Sequence, residues 1–291
     1  MAVAKVAGPG APEEAGALFV AATPIGNLDD VSTRLKAVLE RASGVAAEDT
    51  RRAGRLLQSL GIRSPLISLH AHNERSRTPE LLGRLLSGED LVLLSDAGTP
   101  GISDPGMRLV WEARQSGIRV TPLPGPCAAV AALSVAGFPA DRFHFEGFLP
   151  SRQAARRSRL KQIKAVPETL VFYEAVHRLT AALQDMREVF GGERKAFLAR
   201  ELTKIHESTH GGTLADLCRK AASGKIVLKG EFTLVLGGDG GPDGDEAALD
   251  SILTALLEEL PTRQAARLGA KLTGTPRRVA YSRALELQVR E

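Results

Sequence analysis

Cysteine is scarce in this sequence of 291 residues, which contains only Cys127 and Cys218. Two cysteines do not build the disulfide framework of a small secreted domain, and they fit a reduced, cytoplasmic protein. Aromatic residues make up 4% of the chain, too few for an RNA-binding sheet that stacks bases on aromatic rings. No apolar run approaches the length of a membrane span. The composition therefore predicts a cytoplasmic protein without a membrane partner.

Signature motifs of several enzyme classes are missing as well. The sequence contains neither the Gly-x-Ser-x-Gly elbow of hydrolases nor the glycine–lysine loop that holds nucleoside triphosphates. Gly-x-Gly-x-x-Gly does not follow the first predicted strand, which argues against a Rossmann dinucleotide site. His70 and His72 have no clear third ligand nearby, so they are a weak signal for a metal site. We expect no metal cofactor.

The remaining composition is typical of a globular protein. Apolar residues make up 43% and charged residues 25% of the chain, and its length suits one large domain or two of ordinary size. The formal net charge is +4 with a pI of about 9.2, which permits an anionic partner without proving one. Residues 1–16 are rich in alanine, glycine and proline and have no apolar signal core, so they predict a disordered tail.

Residues 17–123 alternate short apolar runs with helical patterns about five times. This alternation predicts a mostly parallel sheet with helices on its faces, forming an N-terminal α/β domain. Polar loops follow the predicted strands at residues 23–27, 48–52, 70–75 and 95–104. Because ligands of such sheets bind beyond the carboxyl ends of the strands, these loops are expected to meet at one edge and form a site.

The loop at residues 95–106 is central to this interpretation. It follows the apolar run 90–94 and contains three glycines and two prolines, too irregular a pattern for a two-residue hairpin. A glycine-rich loop between a buried strand and a helix lets a ligand approach the backbone closely. An ordinary connection between sheet and helix is the alternative, but Asp96 and Asp104 favour a functional loop.

A second α/β domain is predicted for residues 124–236. Pro124-Gly125-Pro126 is stiff and is typical of a hinge or a domain boundary. The strands beyond it are closely spaced, which favours a mixed sheet. Residues 152–164 carry six cations, so this segment is either a solvated helix face or a contact to RNA phosphates. Arg156 and Arg157 are the candidate substrate-binding residues in it.

The C-terminal part combines a linker with a small helical domain. The glycine-rich and aspartate-rich stretch 237–245 predicts a linker, and residues 246–291 predict helices interrupted at Gly274 in the manner of a helix-turn-helix. This domain is either a structural cap or a nucleic-acid contact. The arginines that could make the contact are Arg263, Arg267, Arg277, Arg278 and Arg283.

Six motifs follow one another along the chain. They are Ala22–Leu28, Ala47–Arg51, Ser95–Gly106, Pro124–Pro126, Phe145–Pro150 and Ala199–Lys204. Together they resemble the motifs of the bacterial 16S ribosomal RNA cytidine 2′-O-methyltransferases, a family of the tetrapyrrole methylase superfamily. The match runs from about residue 17 to 236 and is highly specific, and the C-terminal helices are similar to that family's small C-terminal domain. Cys127 stands where the family often has serine, a change between two small residues.

The resemblance implies an α/β fold: two α/β domains of the tetrapyrrole methylase type (class III methyltransferases) with a small helical C-terminal appendage. It also implies a homodimer and the cofactor S-adenosylmethionine, bound in the cleft between the two domains. The residues that match the family's cofactor motifs are Pro24, Asp96, Ala97, Gly98, Thr99, Ile102, Cys127, Ala128 and Tyr173.

The reaction implied by the resemblance is 2′-O-methylation of a cytidine ribose in the decoding region of 16S rRNA, in the small ribosomal subunit. Carboxylates stand beside cations at the predicted strand ends, which makes Glu48 or Asp49 the candidate base. Lys204 completes the candidate catalytic set. Together with Arg51 and Arg52 it is expected to hold the phosphate backbone.

Two other functions stay open at this point. Methylation of a tetrapyrrole or another small metabolite would use the same fold, but the basic segments favour RNA. A non-catalytic RNA-binding module is the second alternative, and tight binding of S-adenosylmethionine would argue against it.

Overall fold

A computed structural model describes residues 14–238 and 242–288. Most of the predicted tail 1–16, and residues 239–241 of the predicted linker, lie outside the described part. Within it, two five-stranded sheets with flanking helices are followed by three C-terminal helices. This architecture confirms the predicted fold class.

The first α/β domain alternates strands with helices. Its elements are β1 (Ala17–Ala21), α1 (Thr33–Arg41), β2 (Gly44–Ala47), α2 (Thr50–Ser59), β3 (Leu66–Ser68), α3 (Glu74–Leu86), β4 (Leu91–Leu94), α4 (Met107–Gln115) and β5 (Arg119–Leu123). The helix α3 begins inside the predicted loop 70–75, because the backbone carbonyl of His70 already accepts hydrogen bonds from the amides of Asn73 and Glu74.

The first sheet is parallel throughout, with the strand order β3-β2-β4-β1-β5. Helices cover both faces, so β2 and β4 are buried along their whole length. Phe19 and Leu94 contribute to the core on one face, and Leu18 and Leu93 to the core on the other. The parallel arrangement therefore brings the carboxyl ends of the strands to one edge, as predicted.

The second α/β domain has a different topology. Its elements are α5 (Ala128–Ala136), β6 (Phe143–Phe148), α6 (Gln153–Gln162), β7 (Thr169–Ala175), α7 (Leu179–Phe190), β8 (Lys195–Arg200), β9 (Ser208–Thr213), α8 (Leu214–Ala222) and β10 (Glu231–Leu236). The strand order is β6-β7-β10-β8-β9, and only the β6–β7 pair is parallel. The predicted mixed sheet is confirmed.

The C-terminal helices are α9 (Pro242–Glu259), α10 (Thr262–Thr273) and α11 (Arg277–Gln288). They enclose a small core in which Leu249 and Leu253 of α9 pack against buried alanines of α10 and α11. Gly274 ends α10 in the left-handed conformation, with φ of 73°. The first of these helices starts inside the predicted linker 237–245, because proline is well suited to the first position of a helix.

Across the described ranges 14–238 and 242–288, no helix combines the length and the apolar character needed to cross a bilayer.

Candidate active site in the interdomain cleft

The loop 95–106 is held in place by the loop that follows β1. Thr23 and Gly98 exchange two backbone hydrogen bonds, with N···O distances of 2.8 Å and 3.1 Å. The Ser95 hydroxyl donates to the carbonyl oxygen of Gly98 at 3.0 Å. Two strand-end loops that are about seventy residues apart in sequence therefore form one rigid wall, as expected for neighbouring parallel strands.

Both domains contribute to a cleft of about 440 Å³, a volume within the range of small-molecule sites. Eight of the nine residues predicted to bind the cofactor line this cleft. They are Asp96, Ala97, Gly98, Thr99, Ile102, Cys127, Ala128 and Tyr173. The ninth, Pro24, lines an adjoining hollow of about 310 Å³ instead, and the two spaces share Arg52 and Asp96 in their walls.

The two domains approach each other closely beside the cleft. The Thr99 hydroxyl donates to the carbonyl oxygen of Pro126 at 3.1 Å. At Gly26, an added Cβ would stand 2.2 Å from Cγ of Lys204, so only glycine allows this approach. At Gly147, where φ is 69°, an added Cβ would stand 2.9 Å from Oγ of Ser103. These contacts fix the distance between the two walls of the cleft.

Backbone strain is concentrated in two loops that take part in these contacts, the loop after β4 and the loop between β8 and β9. The three non-glycine residues with positive φ among those described are Ser103 at 66°, Glu201 at 50° and Thr203 at 66°. Ser103 lies in the loop after β4, and the other two lie in the loop between β8 and β9. Each such conformation costs about 1–3 kcal/mol and persists only where the surroundings impose it, which happens most often at functional sites.

Three carboxylates from the first domain, Glu48, Asp96 and Asp104, line the cleft. Burial and repulsion by Asp96 raise the pKa of Glu48. Burial and the nearby Glu48 raise the pKa of Asp104 to about 6. Arg52 lies 3.3 Å from Asp96, Nη1 to Oδ2. The cleft therefore holds two carboxyl groups that bind protons more readily than in water, which suits proton transfer near neutral pH.

The second domain contributes the aromatic side chains of Phe148 and Tyr173 to the lining of the cleft. The hydroxyl of Tyr173 accepts a hydrogen bond from the backbone N–H of Ala129 at 3.1 Å, and the Tyr173 ring lies against the rings of Phe145 and Phe148. Burial and the neighbouring Cys127 thiol raise the pKa of Tyr173. The phenol is therefore neutral and held in one orientation at the start of α5.

Glu174 also lines the cleft, although the sequence did not predict it. It is 3% exposed. Its Oε1 accepts hydrogen bonds from Nε of Arg178 at 2.8 Å and from the backbone N–H of Ala175 at 2.8 Å. Its Oε2 is buried and has no hydrogen-bond partner, which is costly unless a ligand supplies a donor. The only signal in the sequence is a glutamate directly after the apolar run 169–173.

The structure separates the three predicted catalytic residues. Glu48 lines the cleft. Asp49 is the N-cap of α2, where its carboxylate accepts a hydrogen bond from the backbone N–H of Arg51 at 2.8 Å. Lys204 stands near the edge of the cleft, paired with Glu201 at 2.8 Å and with Glu231 at 3.0 Å. Burial alone would lower the pKa of Lys204, but these two carboxylates raise it.

The four arginines predicted to bind the substrate differ widely in exposure and in ion pairing. Arg52 lines the cleft, and the side chain of Arg51 is 89% exposed beside Asp49. Arg156 is 4% exposed, and its guanidinium is enclosed with the carboxylate of Asp185 at 2.7 Å. Arg157 shares that carboxylate at 2.6 Å. Burial thus assigns Arg156 to the stability of the second domain, and no phosphate can reach it.

Two family models match this chain. The tetrapyrrole (corrin/porphyrin) methylases match residues 17–218, and the RsmI C-terminal HTH domain matches residues 243–288. The chain is 52% identical over 277 residues to ribosomal RNA small subunit methyltransferase I of Pseudomonas aeruginosa, covering 94% of this chain and 98% of that protein. It is 47% identical to the protein of the same name from Escherichia coli O157:H7, covering 94% and 96%.

Solved structures of the same fold are more distant in sequence. Uroporphyrin-III C-methyltransferase from Thermus thermophilus superposes with a TM-score of 0.54 at 22% identity, covering 76% of this chain and 94% of that one. Diphthine synthase superposes with a TM-score of 0.59 at 14% identity, covering 76% and 89%. At these identities the likeness concerns the fold alone. The family models and the near full-length relatives show that the chain belongs to the tetrapyrrole methylases and, within them, to the ribosomal RNA small subunit methyltransferase I family.

Proposed function

We propose that this protein methylates the ribose 2′-oxygen of a cytidine in the decoding region of 16S rRNA, using S-adenosylmethionine. Membership in a methylase family confirms the class of reaction and the cofactor expected from the sequence. Our proposal adds three points: the methylated nucleotide is a cytidine, the methylated atom is the ribose 2′-oxygen, and the nucleotide lies in the decoding region. The observation that carries the proposal is the interdomain cleft, which gathers eight residues of the cofactor motif, Asp96 among them, beside the carboxylates of Glu48 and Asp104.

The residues of the cleft fit S-adenosylmethionine. The buried and unpartnered Oε2 of Glu174 calls for a hydrogen-bond donor, and the cofactor offers ribose hydroxyls and amino groups. Ala97, Thr99 and the apolar side chain of Ile102 line the cavity on the side of the loop. When bound, the cofactor supplies a methyl carbon activated by a positively charged sulfur. No metal is needed for that activation.

Glu48 is the proposed base of the reaction. The ribose oxygen would form a bond to the methyl carbon while the bond of that carbon to sulfur breaks, with S-adenosylhomocysteine as the leaving group, and the carboxylate of Glu48 would accept the proton that the oxygen loses. Burial and the charge of Asp96 raise the pKa of Glu48, which makes it a better proton acceptor than an ordinary carboxylate. Arg51, Arg52 and Lys204 would hold the phosphates beside the methylated ribose. Most of the rate enhancement is expected to come from aligning the oxygen with the methyl carbon.

A single-turnover assay tests the proposal. Small ribosomal subunits are mixed with excess enzyme and cofactor carrying a labelled methyl group, and the label is mapped by resistance of the RNA backbone to alkali. We expect label on a single cytidine ribose in the decoding region. Label on a base, or on a ribose elsewhere, would contradict the proposal. Free 16S rRNA in a parallel reaction shows whether an assembled subunit is required.

Two variants separate the candidate bases. Glu48→Gln should lower the single-turnover rate by about 100-fold or more, since general-base catalysis contributes that much. Asp49→Asn should change the rate by less than about threefold, because this side chain caps α2 and an asparagine is an equally good N-cap. Equal rates for wild type and both variants would remove both residues from the catalytic set. Calorimetric titration with S-adenosylmethionine is the control for an intact cofactor site.

Glu174→Gln provides a separate test of the fit with the cofactor. Glutamine keeps the size of the side chain but replaces one acceptor oxygen by a donor. We expect the affinity for S-adenosylmethionine to fall by about tenfold or more, the cost of removing a charged hydrogen-bond acceptor. Unchanged affinity in calorimetry would show that Oε2 does not face the cofactor.

Methylation of a tetrapyrrole or another small metabolite is the second candidate, because structural neighbours include uroporphyrin-III C-methyltransferase. The C-terminal HTH match at residues 243–288 favours RNA. A tetrapyrrole is therefore offered in the same assay, and we expect no transfer to it. Failure of calorimetry to detect cofactor binding would instead support a non-catalytic RNA-binding module. The homodimer and the cytoplasmic location stay predictions, and light scattering in solution tests the first.

A further inference from the structure

The helical domain carries a concave surface lined with arginines. Two adjoining hollows of about 620 Å³ and about 430 Å³ lie on α10 and α11 and share Arg267 and Arg277. The larger hollow is also lined by Arg263, Arg278 and Tyr281. We call this surface the arginine groove, defined by Arg263, Arg267, Arg277 and Arg278. All four side chains are exposed.

The described part of the chain supplies no neutralising partner to the arginine groove. Among the described residues, no carboxylate lies within ion-pairing distance of any of its four arginines. Arg283, on the same helix α11, differs in this respect: it lies 2.6 Å from Asp250 and 2.6 Å from Glu286. The domain thus uses one arginine to hold its helices together and leaves four with their charge available.

Helix stability does not account for three of the four arginines. Arg263 stands in the first turn of α10, and Arg277 and Arg278 stand in the first turn of α11. Cations in a first turn are repelled by the positive end of the helix dipole, and acidic residues that would offset this are absent from the first turns of both helices. Converging like charges also repel one another. Such an arrangement is stabilised by a polyanion that lies across it.

We propose that the arginine groove binds the phosphodiester backbone of RNA, as a second contact in addition to the interdomain cleft. The planar guanidinium group matches the geometry of phosphate oxygens and can bind them through two hydrogen bonds. Arginines from two helices would contact successive phosphates, and the ring of Tyr281, 40% exposed, offers a face for stacking a base. The inference rests on the proposed function, since an RNA substrate is what makes a second RNA contact useful.

The salt dependence of RNA affinity tests the arginine groove in the full-length protein. A labelled single-stranded RNA of about 20 nucleotides is titrated by fluorescence anisotropy between about 50 and about 300 mM salt. We expect the double variant R267Q/R277Q to bind about tenfold more weakly at the lowest salt. The slope of log affinity against log salt should flatten by about 1.4, because each lost phosphate contact removes about 0.7 for a single strand.

Matched variants make this result specific. R108Q/R219Q removes the same number of charges from exposed arginines that are already paired with Glu112 and Asp216, and its slope should stay at the wild-type value. R267K/R277K keeps the charges and should retain most of the slope. Thermal unfolding shows whether R267Q/R277Q is folded, and R263Q/R278Q replaces it if it is not.

Two results would overturn the proposal. In the first, the slopes of R267Q/R277Q and R108Q/R219Q are equal. In the second, R267Q/R277Q loses affinity for polyglutamate but keeps its affinity for RNA, which would assign the groove to an acidic protein. The affinity for S-adenosylmethionine should be unchanged in every variant. The wild-type protein could fail to methylate small subunits while R267Q/R277Q still flattens the salt dependence of RNA affinity. That result would contradict the proposed function and would still support RNA binding by the arginine groove.

Discussion

The two basic regions of this molecule look alike in sequence and differ in the structure. In the region around α6, Arg156 and Arg157 share the buried carboxylate of Asp185, and Arg159 pairs with Glu146 at 2.6 Å. In the arginine groove, no described carboxylate neutralises the arginines. A count of cations along the chain therefore does not give the charge that a partner meets. What matters is which cations the fold has already paired.

The carboxylates show the same contrast. Beneath α6, burial alone would raise the pKa of Asp185, but hydrogen bonds from Arg157, Gln153 and Arg156 lower it. In the cleft, burial and the neighbouring Glu48 raise the pKa of Asp104 to about 6. The charged groups around α6 stabilise the fold. In the cleft, the raised pKa shows that the charged form of the carboxyl group is disfavoured, which is typical of sites that perform chemistry.

The largest expected effect on stability comes from breaking the buried ion pair between Arg156 and Asp185. Asp185→Ala should destabilise the protein by about 3–5 kcal/mol, because it leaves the enclosed guanidinium of Arg156 without a counter-ion. Urea denaturation measures the change in the free energy of unfolding. The matched control is Glu112→Ala, which removes the partner of Arg108 from an exposed pair and should cost less than about 1 kcal/mol. Equal costs would show that the pair at α6 is not structural.

A smaller and pH-dependent effect is expected for Asp104→Asn. The pKa of Asp104 is raised from 3.8 to about 6 in the folded state, so folding favours the protonated carboxyl. That contribution is complete below about pH 4 and is lost as the pH rises through about 6. The variant should therefore match the wild type near pH 4 and exceed its stability near pH 8. Allowing for solvent screening, we expect a gain of less than about 2 kcal/mol.

Denaturation of both proteins at these two pH values gives the difference directly, so that the titration of other groups cancels. A constant difference between variant and wild type at the two values would contradict the assignment of the raised pKa to Asp104. Asp30→Asn, on an exposed turn of the first domain, serves as the control for loss of a carboxylate.

The smallest expected effect comes from removing a single arginine from each of the two basic regions and comparing the salt dependence of RNA binding. Arg278→Gln should flatten the salt dependence of RNA binding by about 0.7, the value for one phosphate contact. Arg157→Gln should leave that slope unchanged, because its guanidinium is bound to Asp185 and Glu188. Fluorescence anisotropy with the same RNA compares the two. A flatter slope for Arg157→Gln would restore the α6 segment as an RNA contact, one of the two alternatives that the sequence left open.

Much of the site was predictable because its residues lie at the ends of strands. Apolar runs fix the strands, and parallel pairing then places Asp96, Thr99 and their neighbours at one edge whatever the details of packing. Glu174 was not predictable in this way. Its role depends on an oxygen atom that is buried and unpartnered, and burial is a property of what packs around the strand.

The helix α3 illustrates the same limit. A loop was expected at residues 70–75, yet Glu74 begins a helix and its carboxylate accepts hydrogen bonds from the backbone N–H groups of Gly106 and Arg108 at 3.1 Å and 2.8 Å. The contact joins residues more than thirty positions apart, at the end of the central loop. Local propensity carries no information about such a partner.

By itself, the sequence determined the alternation of elements, the parallel and mixed sheets, and three of the four loops expected to meet in the cleft, because periodicity and glycine or proline punctuation act over a few residues. The fourth loop, 70–75, does not line the cleft. Only the tertiary structure decided which charges are available. Asp49 became a helix cap, Arg156 became part of a buried ion pair, and the arginine groove was left open. Ion pairing and burial depend on distances between side chains that are remote along the chain, and the order of residues does not contain those distances.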